Sequence, residues 1–178
     1  MSGHSKWSQI KHKKAQSDAK KGRLFSKISR MITLAARQGA KPDMNPELRL
    51  AIEKAKEINM PSDNIERAIK RALGKETEKL EEALYEAYGP AGIGILIEGI
   101  TDNKNRTLNE LKHILNEHNA KLAESGSVLW LFEKKEGGWT PKYGVKLSDE
   151  NDKTAFENLL EELSEQDDVQ EVYSNAEL

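Results

Sequence analysis

The sequence predicts an α+β protein: an N-terminal three-helix bundle preceded by a basic arm, followed by a ferredoxin-like α+β domain. Two observations carry this. Apolar residues recur at helical spacing as far as about Leu73, then mainly in short strand-length runs separated by two further helical segments. The charge also divides at the same place. Met1–Lys75 holds 18 Lys+Arg against 7 Asp+Glu, whereas Glu76–Leu178 holds 10 against 23, although the whole chain carries only -2. A split of this size marks two functional parts, one of which meets a polyanion.

The expected elements follow in order. Residues 1–20 form a small, polar, basic arm, and residues 21–76 a helical domain. Leu24, Phe25, Ile28, Met31, Ile32 and Ala35 recur three and four apart, predicting a helix from about Gly22 that Gly39 stops. Asn45 has the character of an N-cap with Pro46 at the first helical position, and Leu48, Ala51, Ile52, Ala55 and Ile58 give that helix an apolar stripe. Asn59-Met60-Pro61 breaks the chain. Ser62 or Asp63 is expected to cap a third helix carrying Ile65, Ala68, Ile69, Ala72 and Leu73, with Gly74 at its C-terminal end.

The second domain is expected over residues 77–178. Leu80–Tyr88 and Ile93–Ile100 have strand character, joined at Gly89-Pro90-Ala91-Gly92. Asp102 or Asn103 should cap a helix reaching about Asn119. Val128–Lys134 is expected as a strand that Glu136-Gly137-Gly138 turns back into Trp139–Lys146. An acidic helix begins at Asp149 or Asn151, with Phe156, Leu159, Leu160 and Leu163 on its apolar face, and Val169–Tyr173 is a last strand. The order suggests a layer related to the split βαβ arrangement.

Several functions are excluded or disfavoured. The chain has no cysteine, which removes disulfides, thiolate metal sites and cysteine nucleophiles. No run of about 18 apolar residues is present and no signal-peptide pattern follows Met1, so a cytoplasmic protein without a membrane partner is expected. His113 and His118 are five apart, which puts them on different sides of a helix rather than in a metal pair. Gly89–Gly94 is glycine-rich but leads into a strand, unlike a dinucleotide or phosphate loop. Asp167-Asp168 suits a turn better than acid/base chemistry. With no catalytic constellation, a non-enzymatic protein without a cofactor or metal is expected.

The binding chemistry concentrates at the N-terminus. The first thirty residues contain nine basic side chains, Lys6, Lys11, Lys13, Lys14, Lys20, Lys21, Arg23, Lys27 and Arg30, with Asp18 as the only acid. His4, His12 and Trp7 are interleaved. Such a segment neutralises phosphates as counterions leave, the footprint of a nucleic-acid partner. Trp7 either stacks on an unpaired base or packs on the protein's own core. Arg67, Lys70 and Arg71 share a helical face and form a second basic set, with Arg49, Lys54 and Lys56 nearby in sequence. An ordinary solvated helix face accounts for this set slightly better than direct contact does. No Asn/Gln/Arg group stands out as a reader of base edges, which favours RNA or backbone contact over operator recognition. The acidic half is expected to face away from phosphate or to meet basic proteins, ribosomal ones among them.

Particular motifs add a resemblance. Gly3-His4-Ser5-Lys6-Trp7 and Ile10-Lys11-His12-Lys13-Lys14-Ala15 open the chain, and Asn59-Met60-Pro61 with Asp63–Ile69 follows. Tyr88-Gly89-Pro90, Thr101–Thr107, Gly126-Ser127-Val128 and Asp167-Asp168-Val169-Gln170 complete the set. These resemble the YebC/PmpR family over nearly the whole chain. The resemblance implies a nucleic-acid-associated regulator, since members are described as DNA-binding transcriptional regulators or as factors acting in translation on slowed ribosomes. It also implies an α/β domain inserted after the Gly-Ser-Val strand. Here Phe132–Lys135 runs almost directly into Trp139-Thr140-Pro141, so that insertion is expected to be missing near residues 135–139. A ribosome-associated, RNA-binding translation factor is the leading expectation. The alternatives are a DNA-binding transcriptional regulator and an adaptor acting through its acidic domain. A monomer is expected.

Overall fold

The computed structural model describes residues 18–74 and 79–178. They fall into two compact units, the described residues up to Glu82 together with Ile100–Asn103, and Ala83–Gly99 together with Lys104–Leu178.

The helical unit contains α1 (Asp18–Ala36), α2 (Pro46–Glu57) and α3 (Ser62–Arg71). Its core is Ile28, Ile32, Ala35, Ala36, Leu48, Ala51, Ala55, Met60 and Ala68. Small alanines at the contacts let the helices approach closely, while Ile32 and Leu48 fill the centre with no exposed surface. Asn45 caps α2 as expected, its side-chain oxygen accepting from the Leu48 amide at 3.1 Å. Its amide group also donates to the Ala35 and Gly39 carbonyls, each at 2.8 Å, so one buried side chain ties the end of α1 to the start of α2.

Three helical expectations need correction. The first helix is already formed at Asp18, the first described residue and four before Gly22, because the polar Asp18–Lys21 turn adds backbone hydrogen bonds without needing an apolar stripe. Neither Ser62 nor Asp63 caps α3. Pro61 occupies the N-cap position and makes no side-chain cap bond. At the far end Ala72 follows the last helical residue, and the Gly74 amide closes a further turn onto the Arg71 carbonyl at 2.8 Å.

The second unit is built on four strands, lying side by side in the order Lys121–Leu122, Glu81–Tyr88, Gly94–Thr101 and Val169–Ser174. β1 (Glu81–Tyr88) and β2 (Gly94–Thr101) form the central hairpin, followed by α4 (Lys104–Glu117) and β3 (Lys121–Leu122). β3 pairs antiparallel with β1, which makes β2-α4-β3 a split β-α-β unit with β1 between its strands. After β4 (Phe132–Lys135), β5 (Gly138–Pro141) and β6 (Val145–Lys146), α5 (Glu150–Glu165) returns the chain to β7 (Val169–Ser174), antiparallel to β2. β8 (Ala176–Glu177) then pairs in parallel with β6.

Alternation along β2 divides two cores. Ile95 and Ile97 pack with Leu111, Leu115, Phe156, Leu159 and Leu163 under α4 and α5. Leu96, between them in sequence, packs on the opposite face with Val128 and Phe132, and with Tyr88, Trp139 and Tyr173 around it. The β4–β5 hairpin thus helps cover the face that the helices leave open.

Here too the expectations shift locally. Leu129–Leu131 is one turn of 3-10 helix, so the strand expected from Val128 starts at Phe132. Leu129 and Leu131 pack against the Leu96 core in that turn conformation, which apolar content alone does not distinguish from a strand. The expected Trp139–Lys146 strand is two short strands separated at Lys142–Gly144. The two-residue strands β3 and β8 are too short for a periodic signal. Asp149 caps α5, accepting from the Asn151 and Asp152 amides.

Candidate nucleic-acid interface

The positions expected to carry binding divide into two groups. His4, Lys6, Trp7, Lys11, His12, Lys13 and Lys14 lie outside the described residues. Of the rest, Lys21, Arg67, Lys70 and Arg71 are exposed, Lys20, Arg23 and Arg30 are half-buried, and Lys27 is buried.

Lys27 must therefore be corrected as a surface contact. It follows the apolar stripe of α1 by spacing, immediately before Ile28, and its side chain is only 6% exposed. A lysine stem can line an apolar core, but this one is enclosed with it. Arg30 is also engaged within the protein, its Nη1 donating to the Ile100 carbonyl at 3.3 Å. Arg37, which the sequence did not single out, is exposed and donates to the Leu80 carbonyl at 2.6 Å.

On α3, Arg67, Lys70 and Arg71 do share an exposed face. Arg67 folds back along its own helix, its Nε donating to the Asp63 carbonyl at 3.2 Å and its Nη2 to the Asn64 side-chain oxygen. The guanidinium is thereby preoriented while retaining further donors. Lys70 and Arg71 lie in the last turn, where cations complement the helix dipole. Arg49, Lys54 and Lys56 are exposed on α2, and Lys41 precedes it. Residues 18–74 hold 13 Lys+Arg against 7 Asp+Glu, so the helical unit remains basic without the arm.

The motifs of the second unit have a different role. Asp168 is buried and accepts from Arg106 Nη2 at 2.8 Å and Thr107 Oγ1 at 2.7 Å. Arg106 also lies 3.8 Å from Glu110, so its charge is shared between two carboxylates. Glu86 is buried on β1 and accepts from the backbone amides of Gly126, Val128 and Leu129 at 2.5, 2.6 and 2.7 Å. The Tyr88 hydroxyl donates to the Ser127 carbonyl at 2.8 Å. Arg106 and Thr107 are thus fastened to the turn before β7, and Glu86 and Tyr88 to Gly126-Ser127-Val128. These motifs position backbone rather than present a reactive group.

Glu98 also accepts from Trp139 Nε1 at 2.7 Å and from the Tyr173 hydroxyl at 3.3 Å. Burial, reinforced by Glu98 and Glu171, pushes the Tyr173 phenol well above its ordinary ionisation range. Among the described residues no cluster of three or more His, Asp or Glu side chains could hold a metal ion, and no helix is long and apolar enough to cross a membrane.

Residues 5–75 match the domain described as TACO1/YebC protein N-terminal domain. Residues 80–137 and 135–176 match in two stretches the description TACO1/YebC second and third domain. The chain belongs to the TACO1/YebC family. A relative from Halothermothrix orenii named "Probable transcriptional regulatory protein" is 56% identical over 137 residues, spanning 76% of this chain and 54% of its own length. One of the same name from Desulfosudis oleivorans is 49% identical over 179 residues, spanning 99% of this chain and 72% of its own. The crystal structure of the conserved hypothetical protein Aq1575 from Aquifex aeolicus superimposes with a TM-score of 0.87 at 35% identity, covering 97% of each chain.

Three features carry structure that sequence reasoning missed. Glu86 was hidden among five acidic residues between Glu76 and Glu86; strand alternation puts it on the face of β1 opposite Tyr85 and Ala87, where only the distant Gly126–Leu129 segment encloses it. Asn45 was legible as a cap but not as a tie to α1. Trp130 and Tyr143 gave no periodic signal, yet both rings are exposed.

Proposed function

We propose that the protein is a nucleic-acid-binding regulator of gene expression that acts on the ribosome through RNA. The observation that carries this reading is the concentration of positive charge in the N-terminal 75 residues of a chain whose overall charge is negative. Exposed Lys70 and Arg71, the preoriented Arg67 and the cations of α2 add positive charge on folded helices to that of the arm's sequence. Contacts of this kind follow phosphate geometry and need no base-edge code. The acidic second unit would face away from the polymer or meet basic ribosomal proteins.

A second reading, a DNA-binding transcriptional regulator, is favoured by the name carried by the relatives. The phosphate chemistry is common to both. The absence of an evident base-reading set on α1–α3 inclines the reading toward RNA. We further read the chain as lacking the family's inserted domain. The second family match arrives in two stretches meeting at 135–137, and nearly the whole chain spans only 72% of the Desulfosudis relative, both of which support this.

The test is co-sedimentation of tagged protein from gentle lysate, with and without ribonuclease, at two salt concentrations. Migration with ribosomal particles that survives moderate salt and is lost on ribonuclease treatment is expected. Recovery on chromosomal DNA with none in ribosomal fractions would favour the transcriptional reading instead.

A further inference from the structure

Acidic as the second unit is, it contains one positive region. Between Trp130 and Lys146 stand Lys134, Lys135, Lys142 and Lys146 against Glu133 and Glu136. Glu133 is already paired with Lys135 at 3.2 Å. Two large aromatic rings are exposed in this same stretch, Trp130 at 59% and Tyr143 at 66%.

Their placement follows from the hairpin. Phe132 pairs with Pro141 in the β4–β5 ladder, and one step further the Lys142 amide donates to the Leu131 carbonyl at 2.8 Å. There the ladder ends: Trp130 stands in the 3-10 turn just before Leu131 and Tyr143 in the bend just after Lys142, so both flank the Leu131–Lys142 hydrogen bond. Trp130 is not loose. Its Nε1 donates to the Ser127 carbonyl at 2.9 Å, and its own carbonyl accepts from Lys142 Nζ at 2.9 Å. Ser127 is held in turn by Tyr88, and its neighbours Gly126 and Val128 by buried Glu86. The ring is therefore anchored at its polar edge while much of its surface stays in water. Lys142 brings an ammonium beside it with donors to spare.

We propose that Trp130 and Tyr143, with Lys142 beside them, form a stacking platform for unpaired bases of a single-stranded nucleic acid, a second set of contacts besides those of the basic arm. It rests on the nucleic-acid reading above for the class of partner. An anchored aromatic with an exposed ring beside lysines is what base stacking with phosphate neutralisation requires. The local positive charge within an acidic unit favours this partner over a basic protein, which the lysines would repel.

The test uses the full chain. Replacing Trp7 and Trp139 by Phe leaves Trp130 as the only tryptophan, since the chain has three. Titration with oligouridylate should quench its fluorescence, and a fully paired RNA duplex should not. In the unaltered background W130A should weaken oligouridylate binding roughly 5- to 150-fold, the range expected for one stacked base. W130F should retain much of the affinity, and W130A should leave the salt dependence unchanged because stacking releases few counterions. Unquenched Trp130 and unaltered W130A affinity, with arm-lysine variants still impaired, would overturn this proposal and leave the arm reading intact. Quenching retained while arm variants bind normally would support the platform and remove the arm instead. Quenching by a nucleic-acid-free ribosomal protein fraction but not by oligouridylate would assign the surface to a protein and overturn the proposal.

Discussion

The hydroxyl of Thr107 donates to the carboxylate of Asp168 at 2.7 Å, joining the first turn of α4 to the turn before β7 across 61 residues. Both residues are buried, and Arg106 completes the arrangement. A charged acceptor strengthens each hydrogen bond, and an enclosed site makes a missing partner costly.

Thr107→Val keeps the shape and removes the donor. It should destabilise the protein by about 1–3 kcal/mol. Combined with Asp168→Ala in a double-mutant cycle, it should show coupling of about 0.5–3 kcal/mol in urea denaturation. Additive effects would mean that the bond contributes no net stability.

Glu86→Gln tests the second fastening. Glu86 accepts from three amides, and glutamine would turn an NH2 group toward at least one of them. A loss of about 1–3 kcal/mol is expected. Hydrogen exchange should accelerate first at Gly126, Val128 and Leu129. Unchanged protection at those amides would contradict the role assigned to Glu86.

Glycines should separate by surroundings. A Cβ on Gly99 would stand 2.9 Å from the Asp168 carbonyl oxygen, where β2 changes register against β7. Backbone cannot swing aside as a flexible side chain can, so Gly99→Ala should cost about 1–3 kcal/mol. Gly22, exposed on α1, has nothing within 4 Å of such an atom, and Gly22→Ala should stabilise by about 0.5–1 kcal/mol. Thermal melts of the two variants should move in opposite directions.

Tyr173 gives a pH dependence of determined sign. Its phenol binds its proton more tightly in the folded state than in the unfolded chain, where ionisation centres near about 10. Stability from this group is therefore complete below about pH 10 and falls as pH rises beyond it. Tyr173→Phe should flatten the decline above about pH 10 in denaturant titrations. An identical decline would show that Tyr173 does not contribute to it.

How much was legible follows from the kind of signal each residue gives. The helices of the first unit were readable because Ile28, Ile32, Leu48 and Ala51 repeat every three or four residues, a pattern set by local geometry. The same local logic exposed Asn45 as a cap and placed the start of α5 at Asp149 or Asn151, of which Asp149 is the cap. Lys27 misled because charge argues for water, whereas its place beside Ile28 on α1 takes it inside. Trp130 was hidden for the opposite reason: its apolar neighbours suggested a strand, and only the 3-10 turn leaves the ring outside. Contacts such as Glu86 to Val128 and Thr107 to Asp168 join distant positions, and one sequence carries no local trace of them. The arm was legible only as charge and composition.

The central claim is that the basic N-terminal part grips phosphate, and the salt dependence of RNA binding tests it most directly. Affinity for a structured RNA should fall linearly on a log–log plot against salt. Replacing Lys11, Lys13 and Lys14 with alanine should weaken binding and reduce the slope by roughly 2–3, the loss of about three phosphate contacts. An unchanged affinity and slope in that variant would contradict the account.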